Sequence, residues 1–74
     1  MARKDHSLIQ KNFGENLQKI RNNKKLSLRD LAAKCDVDDS KISKIENGKF
    51  NIALSTIVEL AKGLEIDVKE LMDF

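Results

Sequence analysis

Residues 28–48, LRDLAAKCDVDDSKISKIENG, decide how this chain folds. They read as two short helices joined by a tight turn, the second lying across the first. Ser27 stands just before the stretch as a capping side chain, and Asp30 follows three residues on. That is the spacing of a reciprocal box, in which each side chain accepts from the other residue's backbone N–H. Leu31, Ala32 and Cys35 fall at i, i+1 and i+4, one narrow apolar stripe on a helix of about two turns. Ala32 leaves room for a second helix to cross close by. Asp36 occupies the turn, where a short polar side chain tolerates the left-handed conformation. Val37 plugs the turn, and Asp38 is placed to cap the second helix. Ile42 and Ile45 point inward from that helix, Asp39, Ser40, Lys41, Ser43, Lys44 and Asn47 make its other face polar, and Gly48 ends it as a C′ glycine does.

A buried helix supporting a polar, protruding one is a device for reading DNA. Three segments are the most specific: KISKIENGK (41–49), FGENLQKIR (13–21) and LSTIVELAKGLEIDVKELM (54–72). In this order and spacing they resemble the Cro/repressor-type, Xre-like helix-turn-helix regulators, over about residues 13–72. Small controllers of restriction–modification genes are of this kind. The resemblance implies an all-α fold, a five-helix lambda-repressor-like DNA-binding domain with the helix-turn-helix at its second and third helices. It implies a homodimer on an inverted repeat in double-stranded DNA, repressing by occlusion or activating by touching RNA polymerase. By the same resemblance Asp39, Ser40, Ser43 and Lys44 read bases, and phosphate is met by Ser27, Asn47, Lys49, Asn51 and Arg21. Arg21 also matches a position that pairs with the residue matching Glu46.

The chemistry of these residues suits the roles. Lys44 can donate to guanine O6 or N7, Ser40 and Ser43 can pair with several base edges, and Asp39 can accept from cytosine N4. A helix beginning at Leu28 offers its first N–H groups to a phosphate. Lys49 and Asn51 can clamp a phosphate without reading sequence. Arg21 either leaves guanidinium donors for a phosphate or makes a purely structural salt bridge. Three departures stand out. Leu28 falls where this family commonly carries a Gln that helps hold phosphate, and Ile52 falls where many relatives carry proline. Asp38 and Asp39 put two carboxylates at the tip, which suit the helix dipole but oppose DNA and must be offset by Lys41, Lys44 and Lys49.

Around this motif the spacing predicts a first helix capped by Ser7 and running to about Lys24, with Ile9, Phe13, Leu17 and Ile20 on one face. Gly14 permits close approach of another element. Leu54, Ile57, Leu60, Ala61 and Leu64 make a fourth amphipathic helix with Gly63 near its end. Asp67 and Glu70 suggest a second capping box and a short fifth helix, and Phe50 is expected in the core. Ile66, Val68, Leu71, Met72 and Phe74 leave more apolar surface than closing the core needs, so the remainder is a candidate dimer interface. Residues 1–6 read as a flexible arm and residues 7–74 as one helix-turn-helix domain. Arg3 and Lys4 can track a neighbouring groove as basic arms do, while a mobile start is the plainer reading.

Seventy-four residues make one domain near the lower limit for folding without metal or disulfides. At that size only about 60% of the unfolded surface is buried, so a dimer interface would add stability. Residues 1–50 carry 12 Lys and Arg against 7 Asp and Glu, and residues 51–74 carry 2 against 5, a basic front and an acidic back within a net charge of +2. That distribution suits a protein that meets phosphate with one end. The lone Cys35 excludes an intramolecular disulfide, and His6 has no second His or free Cys for a metal site, so neither metal nor cofactor is expected. No catalytic pairing of nucleophile and base is visible, which argues against an enzyme and against a small-molecule ligand. With no signal peptide and no apolar run long enough for a membrane span, the expected location is the cytoplasm. Asp38, Asp39 and Leu28 leave a second reading open: an antitoxin-like or other protein-interaction module that uses the apolar C-terminal helix and binds DNA weakly.

Overall fold

In a computed structural model, which describes residues 6–49 and 51–74, the chain folds into α1 (Ser7–Asn23), α2 (Leu28–Ala33), α3 (Asp39–Glu46), α4 (Leu54–Leu64) and α5 (Val68–Leu71). Residues 1–5, with Arg3 and Lys4 of the expected arm, and Phe50 lie outside the described residues. Leu17 of α1, Leu31 of α2, Ile42 of α3, Leu60 and Leu64 of α4 and Leu71 of α5 are fully buried, so every helix contributes to one core. The long α1 packs on α3 and α5, α2 packs on α3 and α4, and α4 packs on α5.

The Ser27–Asp30 box is present in full. Asp30 N–H donates to Ser27 Oγ at 3.0 Å and Ser27 N–H donates to Asp30 Oδ2 at 2.9 Å. With six residues, α2 is far too short to persist alone; the box starts it and the burial of Leu31 holds it. Val37 is buried in the turn that follows. Asp36 is not left-handed, however. The connection spans residues 34–38, long enough to reverse with Lys34 right-handed and Asp38 extended, so no positive φ is required. Instead Asp36 N–H donates to Glu59 Oε1 on α4 at 3.0 Å.

Left-handed residues appear at three helix ends, Lys25, Gly48 and Glu65. Each end closes by the same pair of bonds. After α1, Lys25 N–H reaches Asn22 O at 2.9 Å and Leu26 N–H reaches Arg21 O at 3.1 Å. After α3, Gly48 reaches Ile45 O and Lys49 reaches Lys44 O, both at 3.0 Å. After α4, Glu65 reaches Lys62 O at 3.1 Å and Ile66 reaches Ala61 O at 3.0 Å. This is the Schellman arrangement, with the half-buried Leu26 and Ile66 following two of the three turns. Gly63 is buried in the last turn of α4, near its end as the spacing suggests.

Several expected side-chain caps are absent. Ser7 is the first residue inside α1, and His6 is the cap residue, its carbonyl accepting from Gln10 N–H at 3.0 Å. Asp67 precedes α5 but makes no side-chain capping bond. The end of α5 is held from α1, where Asn16 Nδ2 donates to Glu70 O at 3.0 Å and Leu71 O at 2.8 Å. Ile9 (52% exposed) and Leu54 (75%) lie outside the core, each in the first turn of its helix. The buried face of α1 runs instead through Phe13, Gly14, Leu17 and Arg21.

A non-glycine residue held left-handed costs about 1–2 kcal/mol. Glu65→Gly should therefore raise unfolding stability by about 0.5–1 kcal/mol after the extra chain entropy of glycine is subtracted. The Lys34–Glu65 ion pair it removes is 3.9 Å long and exposed, worth at most a few tenths of a kcal/mol. Urea denaturation measures the balance, and an unchanged or lower midpoint would show that Glu65 bears no strain.

Candidate nucleic-acid interface

Two contacts with α1 fix the position of α3. Gly14 lies against the last turn of α3: a Cβ there would stand 2.6 Å from the Glu46 carbonyl oxygen and would also collide with that of Ile45. Seven residues further along, Arg21 Nε donates to Glu46 Oε2 at 2.6 Å and Arg21 Nη2 donates to Glu46 Oε1 at 3.0 Å. Arg21 Nη1 also donates to Leu26 O at 2.8 Å. Both residues are buried, Arg21 8% and Glu46 7% exposed. Hydrogen bonds to Glu46 raise the Arg21 guanidinium pKa against the opposing effect of burial. Of the two roles open to Arg21, the structural salt bridge is formed in the fold. Buried, and with three of its five N–H groups engaged inside the domain, Arg21 is poorly placed for a phosphate.

The outer face of α3 carries Ser40, Lys44 and Asn47, all exposed, at i, i+4 and i+7. Asp39 is exposed at the start of the helix and Ser43 is half-buried at the edge of the face. All four expected base-reading residues therefore stand on one short helix. Asp38 precedes it in extended conformation but makes no capping bond; its Oδ2 accepts from Ser40 Oγ at 3.1 Å. Asn47 Nδ2 donates to Ser43 O at 2.9 Å, so its amide nitrogen is turned back on its own helix. Lys49 and Asn51 are exposed in the segment that follows α3.

At the start of α2, Ser27 has both its N–H and its Oγ engaged with Asp30, and Leu28 is half-buried against the core. The bonds from Ser27 hold the Asp30 carboxyl below the usual carboxylate range. A phosphate approaching the amides of Leu28 and Arg29 meets that negative charge. Arg29, exposed beside it, offers a compensating cation. It is the residue that reading the sequence passed over, although its place at the second position of α2 was the available signal.

The expected dimer set divides. Leu71 is fully buried in its own core and cannot reach a partner, while Ile66 and Val68 are half-buried against that core. Met72 and Phe74 (50%) are exposed, and the Phe74 ring meets Phe13 edge-on with centroids 6.3 Å apart. Leu54 and Val58, one turn apart on α4, add a second exposed apolar pair. Cys35 is half-buried, with its Sγ donating to Leu31 O at 3.3 Å, and burial pushes its thiol pKa up. Among the described residues no group of His, Cys, Asp and Glu could hold a metal ion, and no helix is long and apolar enough to cross a membrane.

Comparison with known proteins bears on this geometry. The helix-turn-helix family model matches residues 17–71. The control protein C.BamHI of Bacillus amyloliquefaciens is 38% identical over 63 residues, which span 84% of this chain and 78% of that protein. The restriction-modification controller protein C.AhdI from Aeromonas hydrophila superposes with a TM-score of 0.87 at 36% identity, over 90% of this chain and 97% of that one. The restriction-modification controller protein C.Esp1396I, solved as a tetramer in complex with its natural 35 base-pair operator, gives 0.75 at 28% identity, over 86% and 95% of the two chains.

Removing one partner of a buried pair strands the other charge, so Arg21→Ala should cost about 3–5 kcal/mol. Arg21→Lys should recover little, because an ammonium cannot reproduce the fork. Gly14→Ala should lose about 1–3 kcal/mol through overpacking, although alanine is the better helix former by about 1 kcal/mol. Chemical denaturation of the three variants checks this. A Gly14→Ala protein more stable than the parent would mean that α3 is free to shift away from α1.

Proposed function

This chain belongs to the helix-turn-helix family, and from that premise we propose that it is a sequence-specific, double-stranded-DNA-binding transcriptional regulator, acting as a homodimer on an inverted-repeat operator. The observation that carries the reading is the polar outer face of α3, presented to solvent while its other side is clamped to α1. A helix held in this way can enter the major groove without reorganising. A two-fold axis would set two copies of α3 on successive major grooves, ~34 Å apart.

In this reading Lys44 donates to guanine, Asp39 accepts from cytosine, and Ser40 and Ser43 pair with neighbouring base edges. Lys49, Asn51, Ser27, Asn47 and the Leu28 amide position the phosphate backbone, with exposed Arg29 taking the cationic place first given to Arg21. Met72 and Phe74 form the centre of the dimer contact and Ile66 and Val68 its edge. The proposed role is that of the relatives, control of restriction–modification genes, by occluding a promoter or by touching RNA polymerase. Regulation would follow protein concentration through the dimer equilibrium. Such a regulator performs no catalysis, needs no cofactor, and works in the cytoplasm where its DNA is.

Selection of bound duplexes from a random pool at about 150 mM salt should recover an inverted repeat with half-sites about one helical turn apart. Recovery of no enriched sequence would overturn the proposal in favour of a protein-interaction module. Lys44→Ala should relax the preference at one base position at a cost of about 1–3 kcal/mol, whereas a uniform loss over all sequences would make Lys44 a phosphate contact. Lys49→Ala should weaken all sequences alike and flatten the slope of log affinity against log salt by about one. An unaltered slope removes Lys49 from the phosphate set.

A further inference from the structure

A serine hydroxyl has one hydrogen and two lone pairs, and it rotates to suit its neighbour. Facing a base edge without other restraint it can donate to guanine or thymine or accept from adenine or cytosine, so it carries little sequence information. Ser40 is restrained. Its Oγ lies 3.1 Å from Asp38 Oδ2. A carboxylate oxygen carries no hydrogen, so the serine must be the donor and its one hydrogen is spent. Asp38 is in the N-cap position of α3, with φ −77° and ψ 162°, yet its carboxylate makes no capping bond to the helix. It bonds the Ser40 side chain instead.

We infer that Asp38 is a positioning residue for base recognition: by taking the hydroxyl hydrogen of Ser40 it leaves only lone pairs facing the groove, so the base opposite Ser40 presents an amino group, adenine N6 or cytosine N4. This rests on the DNA-reading role proposed above and gives it a chemical polarity. The rest of the face agrees. Asp39 can only accept. Asn47 Nδ2 donates one of its two hydrogens to Ser43 O at 2.9 Å and keeps the other for the phosphate contact proposed above. Lys44 is the cation among them, placed one turn from Ser40. Asp39 and Ser40 thus place acceptors at the start of α3, one turn before the cation of Lys44, complementary to adenine or cytosine amino groups near a guanine.

The test compares duplex selections by the parent protein, Ser40→Ala, Asp38→Gly and Asp38→Asn. Glycine is a competent N-cap, so Asp38→Gly removes the acceptor at little cost to α3, while Asp38→Asn keeps both a cap and an acceptor oxygen but removes the charge. The base opposite Ser40 is the one whose preference collapses in Ser40→Ala. The parent should favour adenine or cytosine there by about fivefold, Asp38→Gly should reduce that preference to about twofold or less, and Asp38→Asn should retain it. The inference is overturned by a guanine or thymine preference at that base, by a Ser40→Ala protein with no altered position, by an unchanged preference in Asp38→Gly, or by its loss in Asp38→Asn. If the parent enriches no sequence, the DNA-reading role falls and this inference falls with it; any of the other failures leaves that role standing.

Discussion

The buried pair between Arg21 and Glu46 governs how this domain presents its outer helix. An eight-residue α3 has no stability of its own, and its inner face offers only Ile42 and Ile45 to the core. Greasy contacts of that kind set a depth but tolerate rotation. The two parallel bonds from Arg21 to Glu46 do not, since the guanidinium fork and the carboxylate must share a plane. The third bond, from Arg21 to Leu26 O, ties the same side chain to the segment leading into α2. One arginine therefore sets α1, the entry to α2 and the end of α3 in register. Desolvating both charges consumes most of the electrostatic gain, so the pair's contribution is the angle it imposes. Gly14 makes this possible by letting α1 and the last turn of α3 approach backbone to backbone.

The same economy runs through the connections. A 74-residue chain has little core to spare, and here side chains on one element satisfy the backbone of another. Glu59 on α4 accepts from Asp36 N–H in the turn of the motif, and Asn16 on α1 donates to the last carbonyls of α5. Lys25 and Glu65 accept a left-handed backbone so that α1 and α4 can stop where packing requires. For recognition the consequence is direct. Several polar groups near the outer face are committed within the protein, and the lone pairs and cations left over are what the proposed DNA contact would use.

The charges near that face oppose one another. Asp30, Asp38 and Asp39 gather at the N-terminal ends of α2 and α3, where helix dipoles favour them and phosphate does not. Arg29 on α2, Lys44 on α3 and Lys49 just after α3 are exposed cations of the same two helices and the segment that follows.

The sequence by itself determined the helices of the motif and what each faces. Ser27 and Asp30 marked the start of α2, Ile42 and Ile45 marked the inner side of α3, and the run of polar residues marked its outer side. These are local matters of spacing and side-chain reach, and resemblance to a known family added the pairing of Arg21 with Glu46. Tertiary structure alone decided what covers each face. Leu71 passed from candidate interface to core because α1 and α4 close over α5, while Ile9 and Leu54 passed from core to surface because the first turns of α1 and α4 leave them uncovered. Arg21, open from the sequence to a phosphate or to a salt bridge, lies buried against Glu46 for the same reason: periodicity states which residues share a side, and only the arrival of a second helix states whether that side meets water or protein.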